Sequence, residues 1–374
     1  MISSRERVLA AIGHDLPDRI PVSVGGITRP RPFAERLGLS SAPDLPEIAS
    51  GERIVVDSRS GKALSELYAA LGSDFSGRAP KYCGPDLPEG LTHWGTIVQG
   101  PFDSGYGQDR QILPLADASS MADIERFPWP SPDDYDYVGI RSGAADLGDK
   151  ARSLSIGWEP IFNRVLDLFG MEQGMINLHM QPQLIEAAVE HVEAFVLEKT
   201  RRALEAGVGS FDIFSWGDDF ATHRGLFIRP SHWRRFFAPS YRRLIELVKR
   251  HDLKFNLHCC GTFVDVMPDL IDMGVDIWNP CQVHLPGNEP EFLKREFGKH
   301  ITFSGAIDTQ HTLPFGTQED VRREVRERID VLGRGGGYFC GPDHDVFPDV
   351  PVENLLALVD EVKSYRNEAC TRMD

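Results

Sequence analysis

Nowhere does the sequence approach the roughly 20 consecutive apolar residues that a helix needs to cross a bilayer, so no membrane partner is expected. The opening residues, Met1-Ile2-Ser3-Ser4-Arg5-Glu6-Arg7, lack the apolar core and small-residue cleavage site of an export signal, which reads as a cytoplasmic protein. Positive charge is also short. With 40 Lys and Arg against 56 Asp and Glu, the formal charge is −16, which opposes a phosphate backbone and argues against nucleic acid as a partner. Six cysteines in 374 residues are too few and too scattered for a disulfide framework and read as thiols, some of them candidate metal ligands. Neither GxGxxG nor a Walker A sequence occurs, which removes the usual signatures of an open nucleotide-binding sheet.

What remains is ordinary globular composition, 41% hydrophobic and 26% charged. Although 374 residues exceed the usual single domain, (β/α)₈ barrels run from about 200 to more than 400 residues as one unit. Ser3 and Glu6 form a capping box before Val8, Leu9 and Ile12, predicting a short amphipathic helix, and residues 19–24 read as a first strand. Residues 83–132 are rich in Pro, Gly, aromatics and acids, with strand-like runs at 92–98 and 111–115. They read as an insertion covering a barrel, within a single domain of residues 1–374.

Beyond Ala151, short apolar runs alternate with long helical patterns, as in a parallel α/β sheet. The expected strands are 153–156, 211–215, 254–258, 275–278, 301–304 and 337–340. Pro182 opens and Gly207 closes a long helix; further helices are expected after the N-caps Ser231, Thr262, Asn288 and Thr317, with Pro239 kinking the first of these. Alternation alone does not separate a closed TIM barrel from a doubly wound sheet. In both, ligands gather where strands end.

The densest strand end is Asn256-Leu257-His258-Cys259-Cys260-Gly261. Residues i and i+2 of an extended chain project the same way, so His258 and Cys260 can converge on one ion, and imidazole with thiolate suits zinc. A third ligand would come from Tyr338-Phe339-Cys340-Gly341-Pro342-Asp343-His344, through Cys340 or His344. Buried, inert thiols are the competing reading. Asp218 and Asp219 after one strand, and Asp308 after another, are candidates for acid–base or orienting work, or for simple capping. Glu159, Asn279 and Gln282 are candidate substrate-binding groups at further strand ends.

Taken in order, several segments resemble the uroporphyrinogen decarboxylase-like superfamily, and within it the corrinoid-linked methyltransferases and O-demethylases. They are Ser4–Ala11 leading to Pro17–Val22, Gly217-Asp218-Asp219, His258-Cys259-Cys260-Gly261, Gly305–Gln310, Gly335–Tyr338 and Pro348–Asn354. The resemblance implies a single (β/α)₈ barrel with an N-terminal elaboration and a covering insertion. It implies zinc held by His258 and Cys260 with His344 third, Cys340 being the alternative. It also implies a corrinoid-binding partner protein and a small methyl donor or acceptor; a homo-oligomer is compatible with the sequence, which does not fix the oligomeric state. The arginine-rich element that receives propionates in true uroporphyrinogen decarboxylases is missing, with only Arg29-Pro30-Arg31 in its region. Metal-free decarboxylation is thus the second expectation, and a non-catalytic ligand-binding barrel the third.

Overall fold

The computed structural model describes residues 2–45, 58–88, 90–97 and 112–370. Seven parallel strands run in the order Phe75–Arg78, Ala151–Ser155, Ile213–Gly217, Lys254–His258, Ile277–Cys281, Thr302–Ile307 and Tyr338–Pro342. The ring is closed by residues 21–23. Ser23 N donates to Cys340 O (2.8 Å) and Cys340 N to Pro21 O (3.0 Å), while on the other side Asp74 N donates to Val22 O (2.9 Å). Gly341 permits this seam, because a Cβ there would stand 1.8 Å from Ser23 O. The result is a (β/α)₈ barrel, with the first expected strand reduced to a single bridge at Val22.

Strand alternation divides the barrel wall into two sets of side chains. Leu154, Phe214, Trp216, Phe255, Leu257, Trp278 and Phe303 point outward and are buried against the helices. At the N-terminal end the inward set is apolar: Ala151, Ile213, Ile277 and Phe339 meet Val8, Ala11 and Ile12 of helix Ser4–Ile12, which stoppers that mouth. Toward the C-terminal end the inward set turns polar. Ser153 and Ser215 hydroxyls are 2.8 Å apart, Asn256 Nδ2 donates to Ser215 Oγ (3.1 Å), and Asn279 Nδ2 donates to Ser304 Oγ (3.2 Å). Most barrels fill this level with branched apolar side chains. A polar interior there marks a place built for something other than packing.

The long helix Pro182–Ala206 starts and stops where Pro182 and Gly207 require, and Thr317 caps helix Gln318–Leu332 in a capping box with Asp320. Three other expected caps shift. Ser231 lies inside helix Pro230–Phe236 after Arg229, because Pro230 takes the first-turn position. Thr262 precedes a 3₁₀ turn and helix Met267–Met273, and its hydroxyl binds Asn288 Oδ1 instead. Asn288 gives its side chain to Gly261 O and Gln282 O, leaving Glu289 before helix Pro290–Phe297. Pro239 does more than kink: the chain breaks at Phe237 and restarts as helix Ala238–Lys249 with Pro239 in its first turn.

Residues 92–97 are a tight turn with one antiparallel bridge, Leu91 to Ile97, rather than a strand, and residues 113–116 are also a turn. Val98 and Gln111, at the ends of those two expected runs, lie outside the described residues. Strand Lys81–Tyr82 pairs antiparallel with Tyr135–Asp136, bracketing the expected insertion. Among the described residues no helix is long and apolar enough to cross a membrane.

Candidate metal centre

His258 ends its strand facing the barrel interior, directly beside Asn279 in the parallel register. Asn279 Oδ1 stands 3.0 Å from His258 Nδ1, and Asn279 Nδ2 is committed to Ser304, so the partners assign the imidazole proton to Nδ1. That leaves the Nε2 lone pair free, and Cys260 Sγ lies 3.7 Å from it. Asp219 Oδ1 is 4.0 Å from the same Nε2 and accepts the Cys260 N–H at 2.7 Å. The ligand atoms of Asp219, His258 and Cys260 all fall within 4.8 Å of one another.

These residues fit zinc. Ligand bonds of about 2.3 Å to sulfur and 2.0 Å to nitrogen at a tetrahedral angle put the two donor atoms about 3.5 Å apart, close to the spacing found. Burial, followed by the Asp219 carboxylate, pushes the Cys260 thiol well above its usual range, so its thiolate needs a cation beside it. Gly261 makes the turn after Cys260, with φ +94° and no room for a Cβ against Thr222 O at 2.5 Å. Cys259, between the two ligands, is fully buried in the outer core.

The cluster opens on a cleft of about 450 Å³ at the C-terminal end of the strands. Its lining includes His258, Asn256, Asn279, Trp158, His344 and Asp345. Trp158, half-exposed, meets the His258 ring edge to face at 5.6 Å. His344 stacks on Phe347, and its Nδ1 is buried without a hydrogen-bond partner. It shares the cleft with His258 yet stands outside the close trio, where Asp219 takes the third place. The alternative, Cys340, faces away. Phe339 points into the barrel, so its neighbour packs outward, where burial pushes the thiol up to about 12.

The remaining expected site residues have structural partners. Asp218 is fully buried and accepts from Ile161 N, Phe162 N, Asn163 N and Tyr241 Oη at 2.6–3.0 Å, capping helix Phe162–Phe169. Burial pushes its carboxyl up to about 7 against those four donors. Glu159 is buried on Lys199 Nζ at 2.7 Å and takes the Trp94 indole N–H at 3.0 Å. Gln282 Oε1 accepts Gly261 N–H at 2.8 Å, bracing the turn behind Cys260. Asp308 caps its own loop through Gln310 N and His311 N. None of these four lines the cleft. Sequence reasoning missed Trp158, Ser215 and Asn256; Asn256 was legible, since it sits two residues before His258 and must share its face.

Fold and cluster together define an enzyme-type barrel whose mouth holds mixed nitrogen, sulfur and oxygen donors. The chain belongs to the uroporphyrinogen decarboxylase (URO-D) family, whose model matches residues 168–365, just over half its length. It is 23% identical over 254 residues to a uroporphyrinogen decarboxylase of Anaeromyxobacter sp., covering 66% of this chain and 69% of the relative. It is also 23% identical over 260 residues to a methylated-thiol–coenzyme M methyltransferase of Methanosarcina mazei, covering 67% of this chain and 65% of that one. A solved methyltransferase from Methanosarcina mazei superposes with a TM-score of 0.65 over 97% of this chain and 99% of its own, at 19% identity, which supports the fold.

Proposed function

We propose that this chain is a zinc-dependent methyltransferase that moves a methyl group between a small donor, such as a methoxylated compound, and a corrinoid carried by a partner protein. The observation that carries the reading is the oriented His258–Cys260 pair, 3.7 Å apart, with His258 lining an open cleft at the barrel's mouth. His258, Cys260 and Asp219 are the holding set. When bound, zinc supplies Lewis acidity toward an ether oxygen, or holds a substrate thiol as thiolate. A donor set with one thiolate leaves less negative charge on the metal than an all-thiolate set, which favours ether activation.

The chain's own residues do the rest. Asn279 fixes the imidazole, Gln282 braces the turn that carries Cys260, and Trp158 offers an aromatic face beside His258 for a small planar donor. His344 lies in the same cleft, where it can give a proton to a departing oxygen. Metal-free uroporphyrinogen decarboxylation is less well supported. Eight substrate carboxylates need dense cationic recognition, and the described cleft lining contains neither Lys nor Arg.

The test is metal content by mass spectrometry on protein purified without a metal-affinity tag, followed by methyl transfer from methoxylated compounds to reduced corrinoid. About one zinc per chain, lost in the His258→Ala, Cys260→Ala double variant, is expected. Wild-type protein that takes up no zinc on reconstitution would sink the reading.

A further inference from the structure

A second group of donors stands at the same end of the barrel, on the next strands around. His284 follows strand Ile277–Cys281, Asp308 follows Thr302–Ile307, and Asp343 follows Tyr338–Pro342. His284 Nδ1, Asp308 and Asp343 bring their ligand atoms within 4.8 Å of one another. Asp343 is fully buried. Its Oδ1 accepts both the N–H and the hydroxyl of Thr309 (3.0 and 2.7 Å), which turns Oδ2 toward His284 Nδ1 at 3.0 Å. That contact lacks hydrogen-bond geometry, so Oδ2 and both ring nitrogens of His284 are buried without a hydrogen-bond partner. Leaving such atoms unmatched in a folded interior is costly unless something else satisfies them.

We propose that His284, Asp308 and Asp343 form a second cation site, for a divalent ion of the Mn²⁺ type, separate from the sulfur-bearing cluster. Ligands about 2.1 Å from an octahedral ion stand about 3.0 Å apart when adjacent and about 4.2 Å when opposite. The 3.0 Å from His284 to Asp343 matches the adjacent spacing, and the 3.9 Å from His284 to Asp308 Oδ1 falls between the two. Two hard carboxylates with one borderline imidazole and no sulfur suit Mn²⁺ more than a thiophilic ion. Thr309 and the Asp308 loop supply the outer hydrogen bonds that fix such ligands. A bare imidazolium–carboxylate pair is the competing account.

The experiment is a Mn²⁺ titration of chelator-stripped protein, reading the loss of the free-ion electron paramagnetic resonance signal. It is run on the wild type and on the His258→Ala, Cys260→Ala variant, so the outcome does not depend on the zinc reading. Expected is about one Mn²⁺ per chain in both, weakened at least 10-fold by His284→Gln and by Asp343→Asn. Wild-type protein that binds no Mn²⁺, or a folded His284→Gln protein that binds it unchanged, overturns the proposal. Binding lost together with His258 and Cys260 places the ion in the other cluster and overturns it equally. Should Asp343→Asn fail to fold, the partly exposed His284 variant and the wild-type stoichiometry still decide.

Discussion

Asn279 holds His258 by its Nδ1 at 3.0 Å and thereby turns the lone pair of Nε2 toward Cys260. Replacing Asn279 with Ala frees the ring to rotate and to carry its proton on either nitrogen. Zinc affinity is expected to fall about 10- to 100-fold in chelator competition, with the melting temperature little changed. An unchanged affinity would mean that the Asn279 contact does not orient a ligand.

Asp219 and His344 compete for the third place beside His258 and Cys260. The geometry favours Asp219, so Asp219→Asn should weaken zinc binding by at least 10-fold, whereas His344→Ala should keep the metal and lower the rate of transfer. Metal analysis beside single-turnover rates separates the two; zinc lost only in His344→Ala would reverse the assignment.

Lys199 and Glu159 form an ion pair in which both side chains are at least 97% buried. Burial alone would push the Glu159 carboxyl up, but the Lys199 ammonium and His93 hold it below the usual carboxylate range. Lys199→Met strands that charge and should cost about 3–5 kcal/mol in denaturant unfolding near neutral pH. The sign with pH follows. In the wild type the depressed carboxyl contributes stability above about pH 4.5 that is lost as pH falls; in the variant burial raises it, so the deficit should shrink toward pH 5 as Glu159 protonates. A deficit that grows on acidification would contradict this account.

Asp218 was expected among the catalytic carboxylates, yet its four acceptor contacts tie it to the start of helix Phe162–Phe169. Asp218→Ala should cost about 2 kcal/mol or more through lost capping and stranded donors, while zinc content stays near wild type. Loss of metal with no loss of stability would return Asp218 to the site.

Much of this architecture is written in local patterns. Strand Lys254–His258 falls where the alternation of Phe255 and Leu257 with Asn256 and His258 puts it, and Pro182 and Gly207 bound their helix by their own stereochemistry. Strand Phe75–Arg78 was not legible, because Phe-Ser-Gly-Arg has too little apolar content to announce itself and is held by pairing with Ala151–Leu154. The fate of the paired aspartates was equally hidden. Asp218 and Asp219 are chemically identical neighbours, and only the fold decides that one turns to a helix start and the other to His258 and Cys260. Cys340 is turned away from His258 and Cys260 by one step of strand alternation, fixed once Phe339 is known to face inward.

Helix Ser4–Ile12 corks the far end of the barrel, so among the described residues the cleft is closed below and opens at the C-terminal ends of the strands. If the chain works as proposed, reactants that enter from that one end must queue, the smaller settling below before a partner-borne cofactor covers the opening. Initial-rate patterns should therefore show compulsory order, and an excess of the covering partner should lock late-arriving substrate outside.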